Sequence, residues 1–152
     1  MPKASVKRLI ECSKKDLITL VLDIEKYPEF VPFCFNAKVY ENKNKGNLTK
    51  IIADLTIGKG PFKDTYKSDV VFDKNKDTIF VKNIEGPLNH LSNNWTFIDK
   101  KNGITEITFD IDFEIKNKFL NSLMVVSFQF GLEKIADAFQ KRAEELFGSS
   151  KD

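Results

Sequence analysis

Hydrophobic side chains along this chain keep two different periods. Between Ala37 and Ile115 they fall mainly on alternate positions, the spacing of strands with one buried and one wet face. The clearest run is the last: Ile107, Phe109, Ile111, Phe113 and Ile115 alternate with Thr108, Asp110, Asp112 and Glu114. Ile51, Ala53, Leu55 and Ile57 form a second such face, and Phe62, Tyr66, Val70 and Phe72 a third. Polar breaks separate the runs: Asn42–Asn47 (NKNKGN), Gly58–Pro61 (GKGP), Asp73–Asp77 (DKNKD) and Lys100–Gly103 (KKNG). Short strands joined in this way predict an antiparallel meander.

The ends of the chain switch to helical spacing. After a short strand predicted over Ala4–Glu11, Ser13 with Asp16 three positions on marks a helix start. Leu17, Ile18, Leu20, Val21, Leu22 and Ile24 then predict a helix over about Lys14–Asp23. In Glu25–Cys34 (EKYPEFVPFC), Pro28 suits the first turn of a short helix and Pro32 ends it. Lys118–Phe147 carries no proline and one glycine and predicts a single long helix, roughly 45 Å in length. Its expected apolar face is Leu120, Met124, Phe128, Gly131, Ile135, Ala138, Phe139 and Leu146, with Arg142 at the edge. From Phe119 to Leu132 it is apolar nearly all round, which requires burial on more than one side, or contact with a ligand, a membrane or a partner.

Composition narrows the possibilities. A chain of 152 residues fits one domain over its whole length, with 149–152 expected as a flexible tail, and buries roughly 68–70% of its unfolded surface without staples. Twenty-four basic against 22 acidic residues leave a net charge of +2, which argues against a coat for nucleic acid; no DNA partner is expected. Fourteen phenylalanines must pack together or line something. Cys12 and Cys34 form no CxxC pair and read as reduced thiols of an intracellular protein. No run reaches the ~20 apolar residues of a membrane span, so a cytoplasmic protein is expected, at most peripheral on the inner face of the membrane.

Candidate chemistry is sparse. His90 is the single histidine, and nothing marks a nucleophile or carboxylate around it. Neither a catalytic residue nor a metal ligand set is expected. Gly58–Pro61 lacks the following helix of a phosphate loop. The basic cluster Lys3, Lys7, Arg8, Lys14 and Lys15 reads as solvated surface that would also attract anionic head groups or ribosomal RNA.

Four stretches together resemble the coenzyme Q-binding family of START-like proteins, within the polyketide cyclase–dehydrase superfamily, whose bacterial branch includes ribosome-association toxins. They are Asp23–Cys34 (DIEKYPEFVPFC), Ala53–Val70 (ADLTIGKGPFKDTYKSDV), Glu85–Phe97 (EGPLNHLSNNWTF) and Asp137–Leu146 (DAFQKRAEEL). This chain departs from the family pattern at Phe33, where tryptophan is usual, and at Leu88, where phenylalanine is usual. Asparagine replaces a glycine between Leu91 and Trp95, and Asn83 occupies a normally apolar strand position. The resemblance implies an α+β helix-grip fold. A curved antiparallel sheet of about seven strands surrounds a long C-terminal helix, with two short helices after the first strand.

It further implies a hydrophobic tunnel for ubiquinone or a similar lipid, and no catalytic cofactor. On that basis Phe30, Val31, Leu55, Ile57, Phe62, Tyr66, Leu88, Leu91, Trp95, Phe109, Leu123, Met124 and Phe130 are expected to line the tunnel. Phe119, Leu120 and Phe128 are expected at its mouth or against a membrane. In Glu85–Phe97, Leu88, Leu91, Trp95 and Phe97 should face the cavity while the polar residues face outward; Asn93 and Asn94, able to hydrogen-bond a quinone carbonyl, read instead as solvating the strand. The function implied is a non-catalytic carrier of an isoprenoid quinone that supports respiratory electron transport. The alternative partner is the large ribosomal subunit, whose joining the protein would block. A cyclase-type enzyme would need an acid–base pair that the sequence does not offer.

Overall fold

The computed structural model of the chain describes residues 3–59, 61–86 and 88–147; the expected tail at 149–152 lies outside them. The elements are β1 (Lys3–Ile10), α1 (Lys14–Leu22), a 3-10 helix (Ile24–Glu29), β2 (Cys34–Lys45), β3 (Leu48–Lys59), β4 (Phe62–Asp73), β5 (Thr78–Glu85), β6 (Leu88–Asp99), β7 (Thr105–Ile115) and α2 (Lys118–Phe147). All seven strands join one antiparallel sheet in the order β1-β7-β6-β5-β4-β3-β2. The order of elements is the one that the chain's two periods predict, and the arrangement is the α+β helix grip that the resemblance implies.

Local chemistry explains the element ends. Ser13 caps α1: its Oγ accepts the Asp16 N–H at 3.1 Å. Asp73 organises the β4–β5 turn, its Oδ1 accepting from the Asn75 and Lys76 N–H groups and from the Asn47 side chain, an Asx-type closure. The β2–β3 connection differs from expectation. The whole of Asn42–Asn47 was to be a turn, yet pairing continues through Asn44↔Thr49 to Lys45↔Leu48, and Gly46, at φ 61°, sits in the turn. Polar side chains are tolerated there because β2 is a sheet edge, bent by register shifts at Cys34/Asn36 and Val39/Glu41.

The 3-10 helix closes the top of the grip. The Tyr27 hydroxyl donates to the Val21 carbonyl, and the backbone N–H groups of Phe30 and Val31 both bond the Tyr27 carbonyl. Pro28 lies late in this helix rather than in its first turn. From α2, Arg142 reaches Glu29 at 2.9 Å and lies over the Phe30 ring.

The long helix α2 runs beside edge strand β1. Gln129 donates to the Ser5 carbonyl, Gln140 to the Leu9 carbonyl, and Arg8 pairs with Asp137 at 2.9 Å. Side chains of α2 thereby cover strand carbonyls that would otherwise stand open. This placement also rotates the helix from its expected face. Leu132, Ala136, Phe139 and Ala143 form the buried stripe, whereas Leu146 is 52% exposed. The alanines let α2 settle closely on the sheet, a preference that hydrophobicity alone does not reveal.

Candidate apolar binding site

The concave face carries two apolar clusters. The main one joins α1, the sheet and the second half of α2, and includes Leu17, Ile51, Val70, Ile79, Trp95, Phe109, Leu132 and Phe139. At its centre Trp95 stacks on Phe109 with ring centroids 4.2 Å apart and meets Phe139 edge-on at 5.1 Å. Phe30 closes the same aromatic group, 5.1 Å from Phe139. The second cluster is Tyr66, Leu88, Leu91 and Phe113, with Leu55, Ile111 and Ile115 packed against it. Leu55 and Ile111 touch both clusters.

The structure therefore sorts the residues proposed from the sequence. Leu55, Tyr66, Leu88 and Leu91 come together in the second cluster, joined by Phe113, Ile111 and Ile115. Those three stand on the strongest alternating run of the sequence, so the signal for them was present. Phe30, Val31, Trp95 and Phe109 belong instead to the main core or pack directly on it. Ile57 stands at the sheet margin, 37% exposed. Phe130 turns outward, 64% exposed with Lys134 over its ring, and Phe119 is likewise 67% exposed. The side chains of Phe62, Leu120, Leu123, Met124 and Phe128 lie outside the described residues.

A β-bulge sets the wall that β6 contributes. Leu88 pairs with Ile115 and His90 with Glu114, so Asn89 is an extra residue. Without it Leu88 and Leu91, three apart, would point to opposite faces; with it both turn inward. Gly86 makes the preceding turn possible. Its φ is 139°, and a Cβ there would meet Tyr66 Cβ at 2.7 Å and Tyr66 Cα at 2.9 Å. Asn83, the polar residue in an apolar position, donates from Nδ2 to the Leu88 carbonyl at 3.3 Å and ties the two strands across this turn.

The polar residues of β6 divide between the two faces, which corrects the expectation that all point outward. Ser92 and Asn94 line an open groove with Asp110, Asp112 and Gln129. His90 lies near them, its Nε2 3.5 Å from Asp112 Oδ1. Asn93 has the same strand parity as Leu91, Trp95 and Phe97, so it faces the concave side. It pairs with inward-facing Val81 on β5 and Ile111 on β7.

Titratable groups beneath the grip are held neutral. Burial pushes the Cys12 thiol up to about 11, with the Asp16 and Glu144 charges adding to it, and burial pushes Cys34 up to about 11. Burial likewise raises both Tyr27 and Tyr66 far above the usual phenol range. The thiols give a signed pH dependence. Unfolded cysteines ionise near pH 8.5. Below that pH both states keep their thiol protons, so the thiols leave stability unchanged. As pH rises from about 8.5 towards 11 the unfolded chain releases protons that the folded chain retains, and stability falls. Urea midpoints at about pH 7 and about pH 10 should show this loss, and a Cys12→Ala/Cys34→Ala variant should show a smaller one. An equal loss in that variant would assign the effect to other groups.

A bent antiparallel sheet holding a C-terminal helix, with a separate apolar cluster at one end of its concave face, defines a START-like helix-grip protein. Residues 11–140 match the family described as polyketide cyclase / dehydrase and lipid transport, and the chain belongs to that family. It is 31% identical to a protein of Rickettsia prowazekii named ribosome association toxin RatA, over 91% of this chain and 94% of that one. It is 32% identical to the mitochondrial coenzyme Q-binding protein COQ10 of Dictyostelium discoideum, over 87% of this chain and 64% of that longer one. Among solved structures, a START superfamily protein from Mycobacterium smegmatis superposes with a TM-score of 0.80 at 19% identity, covering 95% of this chain and 98% of that one. The Zhui aromatase/cyclase from Streptomyces superposes with a TM-score of 0.78 at 13% identity, covering 94% and 93%. These two likenesses concern the fold. Among the described residues no helix is long and apolar enough to cross a membrane.

Proposed function

We propose that the chain binds ubiquinone or a related isoprenoid lipid between the concave sheet and the first half of α2, as a non-catalytic carrier supporting respiratory electron transport. The observation that carries this proposal is the second apolar cluster, walled by β3, β4, β6 and β7 and distinct from the main core. An apolar wall with few polar groups suits a lipid tail, since each CH2 withdrawn from water contributes about 0.8 kcal/mol. The family description includes lipid transport, and one relative is named for coenzyme Q. Phe119 and Phe130, both exposed on α2, give the protein apolar points of contact with a membrane surface during loading.

Mass spectrometry of organic extracts from natively purified protein tests this directly. A stoichiometric quinone or other isoprenoid lipid is expected, and added short-tail ubiquinone should raise the melting temperature. Protein that carries no apolar molecule and does not respond to quinone would overturn the proposal. A second function has its own support: a relative matched over 94% of its length is named a ribosome association toxin. Co-sedimentation with large ribosomal subunits, weakening steeply with salt, would favour that function.

A further inference from the structure

Asn93 presents an anomaly on the concave face. Its Oδ1 is buried and accepts no hydrogen bond. Other polar groups beneath the sheet are satisfied internally: the Ser68 hydroxyl donates to the Ala53 carbonyl, Thr105 to the Cys12 carbonyl and Asn83 to the Leu88 carbonyl. The remaining buried side-chain atoms without a hydrogen bond, among the described residues, belong to Arg8, Asp69, His90, Asp112 and Arg142. Arg8, Asp69, Asp112 and Arg142 are each engaged in an ion pair, and His90 Nε2 stands 3.5 Å from Asp112 Oδ1. Asn93 is neutral and lies among apolar neighbours.

Its position is informative. Along β6, Trp95 on one side belongs to the main core and Leu91 on the other to the second cluster. Across the sheet, Val81 belongs to the main core and Ile111 touches both clusters. The carboxamide thus stands at the seam where packed core gives way to the apolar wall. A buried acceptor left unmade destabilises a fold, and an apolar residue of the same size there would be neutral or stabilising. A structural role does not account for this asparagine. A partner that arrives with a ligand does.

We infer that Asn93 is the polar anchor of the site: its Oδ1 accepts a hydrogen bond from a hydroxyl-bearing head group while the apolar tail lies along Leu55, Leu88, Leu91 and Phe113. This rests on the binding proposal above and adds head-group selectivity to it. The unmet atom is an acceptor, so the O–H of an alcohol or a quinol satisfies it, whereas a quinone, which only accepts, and a hydrocarbon both leave it unmet.

Matched isoprenoids test the inference: farnesol against farnesene, with two-isoprene ubiquinol as a third probe. Wild-type protein should bind farnesol and the quinol about tenfold more tightly than farnesene, the equivalent of one buried hydrogen bond. Asn93→Leu should lose that preference, keep its affinity for farnesene and melt higher than wild type when free of ligand. Asn93→Ala should lose the preference without added bulk, and Asn94→Ala, on the opposite face, should retain it. A preference for farnesol that survives in both Asn93 variants overturns the anchor and leaves the lipid proposal standing. Wild-type protein that binds none of the three probes overturns both.

Discussion

Replacing Trp95 with alanine should remove about 3–5 kcal/mol of stability, a large share of the 5–15 kcal/mol typical of a domain. Trp95 is 4% exposed and joins three rings: Phe109 at 4.2 Å, Phe139 at 5.1 Å and Phe97 at 6.2 Å. It therefore fastens β6 to β7 and both strands to α2. Truncation leaves a void among stiff rings that relaxes poorly, so the cavity cost adds to the lost burial. Because Trp95 is the single tryptophan, unfolding should be followed by circular dichroism rather than fluorescence. The expected result is a markedly lower urea midpoint with an unchanged slope. A loss under about 1 kcal/mol would mean that the aromatic cluster is not the keystone of the fold.

Gly86→Ala should also be severe, at about 2–4 kcal/mol, although it adds only a methyl group. The backbone conformation at φ 139° disfavours any side chain, and the new Cβ would press on the Tyr66 backbone at 2.9 Å, which cannot swing aside as a side-chain tip can. Relief requires β4 and the β5–β6 turn to separate, which displaces Tyr66 and Leu88 together. The substitution should therefore weaken lipid binding as well as stability. Hydrogen exchange should locate the loosening at the Tyr66–Gly86 approach, with protection near Trp95 much less affected. Uniform loss of protection would instead indicate global unfolding.

The fold was legible in the sequence wherever period and turn chemistry agreed. The alternation of Ile107–Ile115, the Ser13 cap and the proline-free run Lys118–Phe147 predict elements that the structure contains. The errors have physical causes. Polar composition in Asn42–Asn47 resembled a turn, but an edge strand with a solvated flank tolerates the same residues. The buried stripe of α2 depends on how closely it can approach the sheet, and that favours Ala136 and Ala143 over the bulkier Leu146. The candidate site was legible only in part. Leu55 and Tyr66 were marked by their strand positions, and Leu88 together with Leu91 by the family resemblance, since simple alternation places those two on opposite faces. The separation of the second cluster from the Trp95 core is a tertiary fact without a local signature. Asn93 was visible but set aside with Asn94 as strand solvation, because the two look alike until strand parity assigns them to opposite faces.

The pairing of β1 with β7 has a consequence for how the protein comes into being. The first strand finds its neighbour only after about a hundred further residues have been made, and α2, which flanks it, comes later still. The β2–β6 meander can assemble from near neighbours as it leaves the ribosome, but the amino-terminal strand must wait with its hydrogen-bonding groups open. Long-range closure of this kind slows folding. The nascent chain should thus be most vulnerable to aggregation and proteases just before α2 emerges.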